Sequence, residues 1–181
     1  MKKLFLFTFL LLVVLGYSQK RVSIYNYSSF AMKIYNVRTK PTANTYPYYL
    51  GYNVGLFPNE AALLVNTAST TKFPFYSPVI TPTVYWPGSF DWKRCTSLNT
   101  FGPYATGQSI WNTFVGNNQV LAGIYYSVGS ITGAGQNQGY FAIPNTAPYS
   151  SVLLSTTWRI DYERIYTTPT DYEDIIIFSD L

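Results

Sequence analysis

The sequence predicts an all-β protein: one antiparallel β-sandwich or jelly-roll-like domain of roughly ten to twelve short strands, behind a cleaved secretory leader. Three observations predict it. Apolar runs of five to nine residues recur along the 181-residue chain, each bounded by Gly, Pro, Asn or Ser. Several runs alternate apolar and polar side chains, as Val22 and Ile24 do with Ser23 and Tyr25, which is the two-residue period of a half-buried strand. Helical periodicity is sustained nowhere over a window of about 11 residues, and eleven prolines are scattered through the chain.

The elements follow in order. The opening MKKLFLFTFLLLVVLGYSQK places two lysines before an apolar core from Leu4 to Leu15, which exits through Gly16-Tyr17-Ser18. That is the layout of a signal peptide, and a core of about 12 residues falls short of the roughly 20 that span a bilayer. Residues 1–18 are therefore expected to be removed. Residues 19–181 then form a single domain with no transmembrane segment, secreted or held at the cell surface, with the periplasm as the alternative destination. The short leader ending in Ser-Gln resembles those of secreted bacterial proteins, and no cysteine follows it to carry a lipid. Some 163 residues are enough to bury a core without covalent staples.

RVSIYNY and FAMKIYNV flank Ser28-Ser29 and read as an N-terminal hairpin. AALLVN follows the turn FPNE, TVYW and SIWNTFV each run into a turn, and QVLAGIYYSVGSI and GYFAIP flank the loop TGAGQNQ. SVLLSTTWRIDYERIY and YEDIIIFS close the chain. The middle is the least regular part: TKPTANTYPYYLGYNVGLFPNE and TTKFPFYSPVITPTVYWPGSFDWKRC hold most of the prolines. Proline cannot donate to a ladder, so these stretches are expected as edge strands or long ordered loops. Phe73, Phe75 and Tyr76 either join a binding surface there or fold down as a lid on the core.

Six of the eight acidic residues fall in the last 21 positions. Thr-Thr-Pro-Thr separates two alternating runs, so the tail is expected as a β-hairpin with two possible registers. Pairing Tyr166 with Asp171 sets Glu163 opposite Asp174, with Asp161 on the same face. Like charges opposite one another destabilise a ladder, so that register implies a Ca²⁺ ion held by Asp161, Glu163 and Asp174. Pairing Tyr166 with Tyr172 instead sets Arg164 against Asp174, Tyr162 against Ile176 and Ile160 against Phe178. Trp158, Ile160, Tyr162, Ile176 and Phe178 then form one apolar stripe, while Arg159, Asp161, Glu163 and Glu173 face water. This second register satisfies patterning and charge together and is the expected one. It leaves Ile165, Ile175 and Ile177 on the other face. The last strand is then either central and covered by the chain's own loops, or it completes a neighbouring subunit's sheet.

Composition excludes much chemistry. The chain has no histidine and one cysteine, Cys95. Ser-His-Asp triads, Cys-His pairs, histidine metal sites and thiolate zinc sites are therefore impossible. Cys95 beside Lys93 and Arg94 reads either as a reactive thiolate or as an inert buried residue. The glycines at 133, 135 and 139 miss the dinucleotide-binding spacing, and no helix is expected after them. Without Lys2 and Lys3 the net charge is +2, with no basic stripe, which gives no footprint for nucleic acid. A glycoside hydrolase needs only two carboxylates, and Glu60 and Asp91 are the acids outside the tail. No cofactor is expected.

With charged residues at 11% and aromatics at 19%, including 18 tyrosines, the surface must be built from Tyr, Thr, Ser, Asn and Gly. Such surfaces make contacts readily, because tyrosine supplies amphipathic area at low entropic cost. The leading expectation is a non-enzymatic extracellular or cell-surface subunit that assembles with itself or with other proteins. The alternative is a carbohydrate-binding module with an aromatic platform from Tyr85, Trp86, Phe90, Trp92 and Trp111, since sugar faces stack on exposed rings. Insertion into a membrane is a weaker reading, with no amphipathic helix or long alternating hairpin in its favour.

Overall fold

The computed structural model describes residues 20–41, 48–65, 92–97, 100–104, 119–129, 136–169 and 171–181. The leader expected over 1–18 lies outside them, as do the strands expected at TVYW and SIWNTFV and the residues Phe73, Phe75 and Tyr76. Among the described residues the chain is all strand with no helix: β1 (Lys20–Asn26), β2 (Met32–Pro41), β3 (Tyr48–Leu56), β4 (Glu60–Val65), β5 (Trp92–Ser97), β6 (Thr100–Tyr104), β7 (Gln119–Val128), β8 (Gln136–Ala142), β9 (Ser150–Leu154), β10 (Trp158–Tyr166) and β11 (Tyr172–Asp180). They form a five-stranded sheet in the order β4-β1-β11-β10-β9 and a six-stranded sheet in the order β6-β5-β3-β2-β7-β8. The two pack face to face as a β-sandwich, as the sequence predicts.

The expected N-terminal hairpin does not form, because β1 and β2 lie in different sheets, β1 between β4 and β11 and β2 between β3 and β7. Three further details differ from the sequence reading. The sheets are not wholly antiparallel: β1 runs parallel to β11, with Ile24 beside Ile176 and Asn26 beside Phe178. A parallel pair needs a long connection, and here the rest of the chain supplies it. Second, the irregular middle contributes β3, which lies between β2 and β5 inside the six-stranded sheet. Its nine residues contain no proline, so the restriction that marks the flanking stretches does not apply to it. Third, the long run from Ser151 to Tyr166 is split between two strands, folded back at Ser155, where the Ser155 N–H donates to the Trp158 carbonyl at 2.9 Å.

The core is the set of inward-facing alternate residues. Val22 and Ile24 of β1, Trp158, Ile160 and Tyr162 of β10, and Ile176 and Phe178 of β11 meet Met32, Ile34, Ile124, Tyr126 and Phe141 of the other sheet. The Tyr126 ring meets Trp158 edge-on at 5.6 Å and Phe178 at 6.4 Å between ring centres, joining the two layers. Edge-to-face contacts of this kind add about 0.5–1.5 kcal/mol beyond the area they bury.

The first turn is held by one fully buried side chain. Asn26 Nδ2 donates to the carbonyls of Phe30 (2.8 Å) and Leu56 (3.1 Å), and its Oδ1 accepts from the Ser28 N–H (3.1 Å) and Oγ (2.6 Å). An amide has two donors and one oxygen acceptor, and all are used. Asp180 grips the same turn, accepting from the Ser29 N–H at 3.0 Å. At the next turn, Asn59 takes a left-handed conformation (φ 66°) that asparagine tolerates. There the Glu60 carboxylate accepts from the Phe57 N–H at 2.8 Å.

Candidate functional site: the C-terminal hairpin and its outer edge

β10 and β11 pair in the register the charge pattern favours: Tyr166 with Tyr172, Arg164 with Asp174, Tyr162 with Ile176 and Ile160 with Phe178. The Tyr172 end turns through a loop in which the Thr167 N–H donates to the Asp171 carbonyl at 3.0 Å. Since β11 lies between β1 and β10, both its edges are occupied. It is a central strand of its own sheet and does not complete a neighbour's.

The inner face of the hairpin carries a buried ion pair. Arg164 Nε donates to Asp174 Oδ1 at 2.6 Å and Nη2 to Oδ2 at 3.1 Å, a two-point contact, with side-chain exposures of 3% and 0%. The Tyr162 hydroxyl donates to the same Oδ1 at 2.7 Å. Above the guanidinium lie the rings of Tyr172, 4.1 Å away, and Tyr149, 5.2 Å away. Tyr166 completes the aromatic group, 5.5 Å from Tyr149 and 5.6 Å from Tyr172. Burial, and then the Asp174 charge, push the hydroxyls of Tyr162 and Tyr172 well above the usual phenol range. Burial works against the charge on Arg164, but its bonds to Asp174 outweigh that and hold the guanidinium protonated. Asp174 accepts three donors in a site closed to water, an arrangement that fixes the hairpin and the start of β9, where the Arg164 N–H donates to the Tyr149 carbonyl at 2.9 Å.

The outer face differs. Glu163 lies opposite Ile175 and Asp161 opposite Ile177, so the register turns Asp161 and Glu163 away from Asp174. The three carboxylates considered as calcium ligands are not brought together, because each acid has its own protein partner or water. Asp174 has Arg164, Asp161 is gripped by Arg159 through Nε at 2.7 Å, and Glu163 is exposed. Among the described residues no cluster of three metal-ligating side chains occurs. Beside the Arg159–Asp161 pair the outer face carries a group of apolar side chains. Tyr25 stacks on Tyr27 at 5.7 Å, Ile177 sits beside Tyr25, and Val152 and Leu154 stand at the rim, 54% and 63% exposed.

Those last two belong to β9, the edge strand of this sheet among the described strands. Its pairing with β10 is bracketed by the Arg164–Tyr149 and Ser155–Trp158 hydrogen bonds. In an antiparallel ladder the residues facing inward alternate with those facing outward. Tyr149, Ser151, Leu153 and Ser155 thus turn their backbone groups to β10, and Ser150, Val152 and Leu154 turn theirs outward.

Of the aromatic platform considered for carbohydrate, Tyr85, Trp86, Phe90 and Trp111 lie outside the described residues. Trp92 opens β5, opposite Gly51 of β3 and Tyr104 of β6, with its side chain outside them. Of the two acids considered for glycoside hydrolysis, Asp91 lies outside and Glu60 holds the turn before β4. Cys95 is fully buried in β5, which favours the inert reading of that thiol. Sequence reasoning placed Arg164 against Asp174 but missed the aromatic cage around them. Its only sequence trace is a tyrosine at both ends of the hairpin loop, Tyr166 and Tyr172. No protein-family model, curated protein or solved structure matches the chain.

Proposed function

We propose that this protein is a non-catalytic, exported interaction subunit that joins other protein chains through the outer face and β9 rim of its five-stranded sheet. The observation that carries the proposal is the group of exposed apolar side chains on the outer face. Tyr27, Val152 and Leu154 are each more than half exposed there, beside Tyr25 and Ile177. Scattered surface apolar residues need no explanation, whereas a group of them on one face marks a contact surface. Supporting the reading are the low charge, the tyrosine-rich composition and the lack of histidine. The signal-peptide layout of residues 1–18 supports export.

The test is site-specific photo-crosslinking in the producing cell, with the reactive residue at position 27 or 154, combined with fractionation. The expected result is protein-containing adducts at both positions, in the secreted or cell-surface fraction. Protein held in the cytoplasm, or exported protein that forms no protein adduct and is retained on a glycan column, would overturn the proposal. The second outcome would favour the carbohydrate-binding alternative.

A further inference from the structure

Resting on the interaction reading above, we infer that the occupant of the β9 edge is β9 of a second copy of this chain, paired antiparallel about Val152. Sheet edges are ordinarily blunted by charge, proline or a bulge. The other edges show such devices or are partly covered. β6 contains Pro103; β8 pairs with β7 through a register shift, and its Asn137 is left-handed (φ 62°). In β4, Ala61 and Leu63 are half-buried. The segment Ser150–Leu154 has no charge, no proline and no bulge against β10.

Self-pairing follows from the positions of the outward groups. With Ser150, Val152 and Leu154 facing out, a two-fold axis at Val152 pairs Val152 with its own copy and Ser150 with Leu154, using all five residues of the strand. Charge does not oppose the pairing. Leu154 lies beside Arg159 and Ser150 beside Glu163 in the rows of the sheet. The two-fold therefore puts each Arg159 in the row of the second copy's Glu163, about three strand spacings away, and brings no charges into contact. The two Asp161 side chains, in line with each other, are already neutralised by Arg159. The result is one continuous sheet built from two five-stranded ones, closed by symmetry and leaving no new edge at the junction.

The register makes the test specific. Residues paired across a hydrogen-bonded antiparallel position stand about 5.5 Å apart at Cα, within disulfide range. The full chain is expressed, and the purified protein carrying Val152→Cys or Leu154→Cys is oxidised with glutathione disulfide. The native Cys95 is buried and does not compete. Val152→Cys is expected to form a covalent dimer at least tenfold faster than Leu154→Cys, whose partner is Ser150. Light scattering of the unmodified protein is expected to show mass rising toward a dimer with concentration. Val152→Pro removes only an outward N–H, leaves the β10 ladder intact, and should abolish that rise. Equal cross-linking rates for the two cysteines, or a monomer at every concentration, would overturn β9 pairing. Adducts at position 27 together with either result would leave the interaction reading standing and remove only the self-pairing.

Discussion

Arg164 and Asp174 face each other across β10 and β11 at 2.6 Å, both shut off from water, at the end of the sandwich where β9 begins. A pair so placed adds little net stability over apolar residues of the same shape, yet breaking it on one side strands the other charge. Asp174→Asn is expected to cost about 3–5 kcal/mol. The double variant Arg164→Met with Asp174→Leu should recover most of that, losing chiefly the Tyr162 bond. Urea melts of Arg164→Met, Asp174→Leu and the double variant measure the coupling directly. Additive losses would show that the pair is not the unit that holds the hairpin.

The buried hydroxyls of Tyr162 and Tyr172 set the alkaline limit of stability. Both are held protonated in the fold above the ordinary phenol range, by burial first and the Asp174 charge second. The unfolded chain releases these protons near a pKa of about 10. Their contribution is therefore whole below that pH and is lost progressively as pH rises above it. Ultraviolet phenolate titration should show a late group of tyrosines that ionises together with unfolding. Tyr162→Phe should flatten the fall in stability at high pH while lowering stability near neutrality, because the bond to Asp174 is gone.

Asn26 binds the β1–β2 turn to the end of β3. Asn26→Ala leaves the Ser28 N–H and the carbonyls of Phe30 and Leu56 without this partner, and about 3 kcal/mol should be lost. Asn26→Asp keeps the acceptor but removes both donor bonds and buries a charge, so it should be worse. Denaturation midpoints will rank the two, with the slope unchanged if only the folded state is affected.

Gly123 is required by a close approach. A Cβ there would lie 2.5 Å from the Phe141 carbonyl oxygen and 2.5 Å from the Tyr140 hydroxyl, which itself donates to the Ala122 carbonyl at 2.9 Å. Gly123→Ala should cost about 1–3 kcal/mol through overpacking. Adding Tyr140→Phe should relieve only part of it, because the Phe141 carbonyl belongs to the backbone. Thermal melts of the single and double variants give the comparison.

The fold was legible where one face of a strand is wet. β1, β2, β10 and β11 alternate strongly enough to be read as strands, and the β10–β11 register follows from the residues alone, whereas the division of β1 and β2 between two sheets does not. Charge sharpened the register, since only one pairing sets Arg164 beside Asp174. β3 and β5 were illegible for the opposite reason: they sit among prolines and aromatics, and period-two alternation is weak in strands such as YYLGYNVGL and WKRCTS. The break between β9 and β10 was also hidden, because Ser155-Thr156-Thr157 contains neither glycine nor proline. The outward-facing rim at Val152 and Leu154 could not be read at all, since an edge is a property of strand order, which no local pattern encodes.

The parallel pairing of β1 with β11 bears on how the molecule is made. Ser23 bonds Glu173 across 150 positions of chain, so β1 must wait for β11 before their sheet can close. Contacts of such long sequence separation are slow to form. Synthesis from the N-terminus therefore yields β1 long before its neighbour exists. The five-stranded sheet, with its buried ion pair and its β9 rim, can close only once β10 and β11 have been made.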